Sequence, residues 1–157
     1  MRMEIERKFL VNKSAWEIAQ QGESARICQA YLANDGHKVV RIRTYGNQAF
    51  ITIKAHLAGM SRAEYEYPMP LQDADEMIVT LADKRIEKIR HRVNYKGKLW
   101  EVDVFEGENE GLLVAEIELE YENEAFEKPD WVGEEVTDDI RYYNASLIQN
   151  PYRNWNR

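Results

Sequence analysis

Five stretches of this chain alternate charged with mostly apolar residues, and in each the charges keep one parity. EIERK sets Glu4, Glu6 and Lys8 on one side, RIR sets Arg41 and Arg43, and EYE sets Glu64 and Glu66. KIRHR does the same with Lys88, Arg90 and Arg92, and AEIELE with Glu116, Glu118 and Glu120. A β-strand sends successive side chains to opposite faces. Each stretch therefore predicts a strand with one ionic and one largely apolar face.

Two geometries satisfy that pattern. One is a half-buried sheet with its charges in water. The other is a barrel whose ionic faces line the lumen and whose apolar faces are covered outside by helices and loops. Two features favour the barrel. Sign is segregated: residues 38–45 offer only Arg on the polar parity, and 112–120 ends with only Glu. In addition, AFITIKA separates Phe50, Thr52 and Lys54 from Ile51 and Ile53, and WEVDVF separates Glu101 and Asp103 from Trp100, Val102 and Val104.

The remaining pattern supplies the elements. EIERKFLV (4–11) reads as a strand, and NKSAWEIAQQG as a short helix with Ser14 as N-cap and Gly22 as stop. Strands over 25–32, 38–45 and 49–55 are separated by the turn signals Asn34-Asp35-Gly36 and Gly46-Asn47. SRAEYEYPM is a further strand, and LQDADEMIVTLADK a helix with Leu71, Met77, Ile78 and Leu81 near one face. A hairpin turning at Lys96-Gly97-Lys98 and the strand GLLVAEIELE follow, and short helical or irregular pieces close the chain around 123–127 and 134–149. The expected class is α+β, mainly β: an eight-stranded antiparallel barrel with a charged lumen and a few helices outside, forming one domain over 1–157.

Composition narrows the function classes. Hydrophobic residues make up 44% and charged residues 31%, with a net charge of -7, an ordinary soluble composition. The acidic balance argues against a broad nucleic-acid surface but leaves room for a local basic pocket. A single cysteine, Cys28, excludes an internal disulfide and fits a reducing compartment. The N-terminus opens directly into strand pattern without a secretory progression, and no apolar run approaches a membrane span. A cytoplasmic protein with no membrane partner is expected.

Charges lining a lumen are costly if dry and unpaired. They become reasonable facing water, one another, metal ions and a polyanion. Arg forks and Lys ammoniums suit phosphate oxygens, and clustered carboxylates suit Mg²⁺ or Mn²⁺. Both together point to a metal–polyphosphate complex, held without the Gly-rich loop of a P-loop enzyme.

The chain resembles the CYTH-domain proteins, the triphosphate tunnel metalloenzymes. Glu4-Ile5-Glu6-Arg7-Lys8 matches their N-terminal ExExK signature. RIR at 41–43, Lys54, EYEYP at 64–68, EKIR at 87–90, EVDVF at 101–105 and AEIELE at 115–120 follow in family order, and GEEVTDDIRYYNASL (133–147) resembles the bacterial C-terminal signature. The resemblance implies an eight-stranded tunnel and divalent-metal-dependent hydrolysis of triphosphates. Small bacterial members lean toward inorganic tripolyphosphate, with nucleoside triphosphates as further substrates. A few members are class IV adenylate cyclases, which is one alternative. A polyphosphate-binding module without turnover is another.

The resemblance also implies roles. Glu4, Glu6, Glu116 and Glu118 match metal-binding carboxylates, with Glu64 and Asp103 as further candidates. Glu66 is a candidate for orienting the attacking water. Arg41, Arg43, Lys54, Lys88 and Arg90 match the phosphate-binding set. Lys8 is expected at the terminal phosphate, Tyr31 beside Lys8, and Arg141 at a tunnel mouth. Lys8, Tyr31, Glu66 and Lys88 form the candidate catalytic group. Arg62 and Arg92 share the inward parity, and Gln29 stands where related sequences often carry Arg. His37, His56 and His91 have no ligand spacing and are expected at the surface, and the four tryptophans are expected to pack. The implied partner is a small polyanion, with the protein a monomer or homodimer.

Overall fold

The computed structural model describes residues 2–58 and 61–156. Among the described residues nine strands are formed: β1 (Arg2–Val11), β2 (Glu23–Asn34), β3 (Lys38–Tyr45), β4 (Gln48–Ala58), β5 (Ser61–Pro68), β6 (Ile86–Tyr95), β7 (Lys98–Phe105), β8 (Leu113–Leu119) and β9 (Val132–Glu135). The helices are α1 (Lys13–Glu17), α2 (Leu71–Leu81) and α3 (Asn144–Gln149). None is long and apolar enough to cross a membrane.

Hairpins generate most of the sheet, and β1 closes it. The order β5-β4-β3-β2-β6-β7-β8-β1 returns on itself because the start of β1 also pairs with β5, Glu4 opposite Arg62, while its middle pairs with β8, Lys8 opposite Glu116. All eight contacts are antiparallel. Closure removes the exposed edges that an open sheet would leave. The tight turn at Lys96-Gly97 places both residues at positive φ, 50° and 80°, as a two-residue hairpin requires.

The apolar core lies largely outside the barrel. Phe9, Trp100, Val102, Ala115 and Ile117 project from β1, β7 and β8 against Trp16 of α1 and Trp131. Ala74 and Ile78 of α2 cover Ala30, Ile42 and Ala49. Inside, the charged parity turns apolar at one end. Leu10, Ile86, Phe105 and Val114 pack there with Leu147 and Ile148 of α3.

Two details depart from sequence expectation. Asn12, not Ser14, caps α1: its Oδ1 accepts from the Ala15 amide at 3.0 Å and from the Ser14 hydroxyl at 2.9 Å. The short strand β9, hidden in a segment expected to be helical or irregular, joins β1 where β5 leaves it. The Arg7 guanidinium clamps it, with Nε 2.8 Å and one terminal nitrogen 2.6 Å from the two oxygens of Glu135.

Helix α1 ends at Glu17 with Ile18 as its C-cap, earlier than the expected stop at Gly22, which instead turns the chain into β2 with φ +66°, and a β-carbon there would fall 2.0 Å from the Arg92 carbonyl oxygen. Gly22→Ala is expected to cost more than about 2 kcal/mol through backbone strain and displacement of β6. At Gly97 (φ +80°) a β-carbon meets nothing within 4 Å, so Gly97→Ala should cost only about 1 kcal/mol. Denaturant unfolding of both variants checks the order.

Candidate active site

The inward faces enclose a cavity of about 950 Å³. Its wall contains Glu4, Glu6 and Lys8 of β1, Tyr31 of β2, Arg41 and Arg43 of β3, and Lys54 of β4. Arg62, Glu64 and Glu66 of β5, Lys88, Arg90 and Arg92 of β6, Glu101 of β7, and Glu116 and Glu118 of β8 continue the ionic lining, with Glu120 and Asp138 beyond the strands. Strand periodicity places them. Residues two apart share a face, and antiparallel register brings Lys54 opposite Glu64 and Glu6 opposite Glu118.

On one wall, carboxylates surround two lysines. Lys8 Nζ lies 2.8 Å from Glu116 Oε1 and 3.4 Å from Glu6. Burial works against the Lys8 charge, but Glu116 and then Glu6 outweigh it and hold the ammonium well above the ordinary lysine value. Lys54 Nζ lies 3.1 Å from Glu4 and 3.6 Å from Glu64. Burial, reinforced by the neighbouring Glu64 carboxyl, pushes Glu4 up against the pull of Lys54. Burial also raises Glu6, but Lys8, Lys54 and a hydrogen bond with Glu116 together outweigh it, and the net shift is downward.

The opposite wall is cationic. Arg43 donates to Glu66 at 3.1 Å, and Thr52 donates to the same oxygen at 2.9 Å. Burial, then repulsion from Arg41 and Arg90, lowers Arg43 to about 10, still protonated at neutral pH. The Nε atoms of Arg41 and Arg43 are buried, and among the described residues they have no hydrogen-bond acceptor. Both side chains also line the cavity, where guanidinium forks suit an anion.

Asp103 anchors the third cationic group. It is fully buried and accepts from Arg90 at 2.8 and 2.9 Å and from Lys88 at 2.7 Å. Burial pushes Asp103 up, yet Arg90 and Lys88 hold its carboxyl below the usual aspartate range. Burial lowers Lys88 to about 8 despite Asp103, with Arg90 adding to the depression. Asp103 is not part of the cavity wall, and both its oxygens are engaged. This departs from the expectation of a metal ligand: its place is that of a counter-ion beneath two phosphate-binding candidates.

Two other expectations meet a different geometry. Arg141 is exposed and bound to Asp139 at 2.7 Å, with its guanidinium 4.9 Å from the Trp155 ring, and it does not line the cavity. Tyr31 does line it, but its hydroxyl accepts from Gln29 at 3.1 Å, and the ring over Lys8, at 4.9 Å, is that of Tyr143. His37 and His56 are exposed, as expected, and also contribute to the cavity wall. His91 does face outward, where it packs on Trp16 at 5.2 Å. Thr137, Tyr143 and Asn144 also reach the wall from the C-terminal segment. The signature over 133–147 pointed to that segment, but strand periodicity carries no information about it.

The fit to a metal can be judged from the donor set. Glu4, Glu6, Glu64, Glu116 and Glu118 present hard oxygens to one cavity, as Mg²⁺ and Mn²⁺ require. Among the described residues, no three are drawn together as a formed ligand cluster. Lysines neutralise the pairs instead, a charge role that a divalent cation can share.

The CYTH domain family matches residues 2–152. The chain belongs to the CYTH family. It is similar to the inorganic triphosphatase of Acetivibrio thermocellus, 46% identical with 99% of each chain covered, and to that of Nitrosomonas europaea, 36% identical over 92% of this chain and 95% of that one. The solved structure of the inorganic triphosphatase NE1496 superposes with a TM-score of 0.66 at 34% identity, covering 92% of this CYTH chain and 97% of that chain. The CYTH triphosphatases are metal-dependent and act on small polyphosphates.

Asp103→Asn leaves Lys88 and Arg90 buried without their shared anion. A loss of about 3 kcal/mol is expected, seen as a lower Tm at pH 7. Because the folded-state pKa is depressed, the wild-type advantage is present above the unfolded aspartate value and fades as pH falls through the folded one. The two melting temperatures should therefore converge in acid.

Proposed function

We propose that this chain is a divalent-metal-dependent hydrolase that converts inorganic tripolyphosphate to pyrophosphate and orthophosphate. The observation that carries this reading is a single cavity that sets the cationic side chains of Arg41, Arg43, Lys88 and Arg90 on β3 and β6 across from carboxylates of β1, β5 and β8. The names of the relatives point the same way.

Arg41, Arg43, Lys54, Lys88 and Arg90 hold the polyanion along the cavity and neutralise charge that develops in the transition state. Lys8, fixed between Glu6 and Glu116, addresses the terminal phosphate from the acidic wall. Glu4, Glu6, Glu64, Glu116 and Glu118 are assigned to Mg²⁺ or Mn²⁺, which when bound neutralises phosphate oxygens and acidifies water. Glu66 is assigned to orient the attacking water. The water oxygen bonds to the terminal phosphorus, the bridging P–O bond breaks, and pyrophosphate leaves with those electrons. Fixing both reactants in line supplies much of the acceleration.

Among the described residues, no tryptophan lines the cavity. Trp16, Trp100 and Trp131 belong to the outer core, and Trp155 packs on Tyr142 and Tyr152. None of the tryptophans therefore offers a base-stacking platform there. The reading treats 1–157 as one tunnel domain acting as a monomer or homodimer in the cytoplasm, with no nucleic-acid or membrane partner.

Orthophosphate release from tripolyphosphate should require Mg²⁺ or Mn²⁺, stop in EDTA and exceed release from ATP. Cyclic AMP and pyrophosphate from ATP would indicate the cyclase instead, and tight binding without turnover the binding module. Arg41→Ala should lower kcat/KM about a hundredfold or more, and Glu118→Gln should abolish metal-supported turnover at unchanged Tm. Normal activity of Glu118→Gln across a metal titration would refute its metal assignment.

A further inference from the structure

The C-terminal segment does more than close one end of the barrel. It is stapled to β1 next to a cavity lysine: the Val136 amide donates to the Lys8 carbonyl at 2.8 Å, and the Lys8 amide to Thr137 Oγ1 at 3.0 Å. The Tyr143 hydroxyl then donates to the Thr137 carbonyl at 2.7 Å, folding the segment back on itself. That bond sets the Tyr143 ring 4.9 Å from Lys8 Nζ and 4.5 Å from the Arg62 guanidinium. The next residue, Asn144, reaches the opposite strand and accepts from Lys88 Nζ at 2.9 Å. Leu147 and Ile148 of α3 bury themselves beside Ile86 and Phe105, which fixes the height of Asn144 against β6.

An ammonium has three N–H donors and no acceptor. On Lys88, one is directed to Asp103 at 2.7 Å and one to Asn144 at 2.9 Å. Lys88 is 1% exposed yet belongs to the cavity wall, and its nitrogen also lies 5.4 Å from the Phe105 ring, so one donor is left without a hydrogen-bond acceptor at the edge of the lumen. The orientation of the Asn144 carboxamide follows from the same inventory, since only its oxygen can meet a lysine. Asp103 is a shared anchor: the oxygen that accepts from Lys88 also accepts from Arg90. A neutral acceptor adds a second point of attachment without cancelling the positive charge.

We propose that Asn144 is a positioning residue for the polyanion: with Asp103 it fixes two of the three N–H bonds of Lys88 and aims the third into the tunnel. The segment around Tyr143 and Asn144 thereby belongs to the binding machinery, touching a buried lysine on each of two strands. The assignment rests on the tunnel as the phosphate site. It predicts that removing the carboxamide loosens the Lys88 ammonium and weakens the hold on a phosphate chain. It also predicts that this loss passes entirely through Lys88.

The test is a double-mutant cycle on metal-free protein, reading tripolyphosphate affinity by isothermal titration calorimetry in EDTA, with Tm recorded for every variant. Asn144→Ala should weaken binding about tenfold, Lys88→Ala about a hundredfold, and the double variant no further than Lys88→Ala. A merely structural role would lower Tm and give additive losses, which would overturn the assignment, as would unchanged affinity in Asn144→Ala. Should Asn144→Ala not fold, Asn144→Ser keeps a polar side chain too short for the contact and must show the same non-additivity. Wild-type binding with an indifferent Asn144 rejects this inference alone. No binding by the wild type rejects the tunnel reading and this inference together.

Discussion

Everything in this structure depends on a dense field of opposite charges kept inside a closed barrel. Each inward carboxylate and ammonium gives up bulk water, a cost that only paired neighbours offset. The pairing is therefore not decoration. Lys8 between Glu6 and Glu116, Lys54 between Glu4 and Glu64, and Asp103 beneath Lys88 and Arg90 are what allow the ionic faces to point inward. Once they do, the apolar faces must point out, and the helices and the 126–132 segment exist in consequence, to cover Trp100, Ile117 and Ile42.

Segregation of the charges by wall gives the cavity its chemistry. Carboxylates of β1, β5 and β8 face guanidiniums and an ammonium from β3 and β6. Two lysines, Lys8 and Lys54, each set between two carboxylates, balance the acidic side only in part. The basic side carries an excess: two arginines share Glu66, Lys88 and Arg90 share Asp103, and two guanidinium Nε donors stay unpartnered among the described residues. A cavity whose acidic side is only partly balanced by two lysines and whose other side is cation-rich is suited to an elongated polyanion that brings its own cation. The same imbalance depresses Lys88 and Arg43, because burial and like charges act on them together.

Much of this was legible in the amino-acid order because strand alternation is a strict code. Once EIERK, RIR and AEIELE are strands, Glu6, Arg41 and Glu116 must share faces with Glu4, Arg43 and Glu118, and hairpin turns fix which strands adjoin. Parity could not distinguish a residue that faces the lumen from one buried under its neighbours. Asp103 has the inward parity, yet Arg90 and Lys88 cover it completely. Parity was equally silent on His37 and His56, whose height at the cavity wall depends on the offset between strands around the barrel. The C-terminal segment lay outside the code altogether. β9 is held by the Arg7–Glu135 clamp, and Tyr143 and Asn144 are placed by long-range hydrogen bonds that no local period announces.

The central claim is that the polyanion lies in the tunnel between the two walls. Crystals soaked with tripolyphosphate and Mn²⁺, with diffraction recorded at the manganese edge, test it most directly. The account predicts a phosphate chain along Arg41, Arg43, Lys54, Lys88 and Arg90 and an anomalous peak among Glu4, Glu6, Glu64, Glu116 and Glu118. Phosphate density confined to the outer surface, with manganese absent from the carboxylate wall, would contradict it.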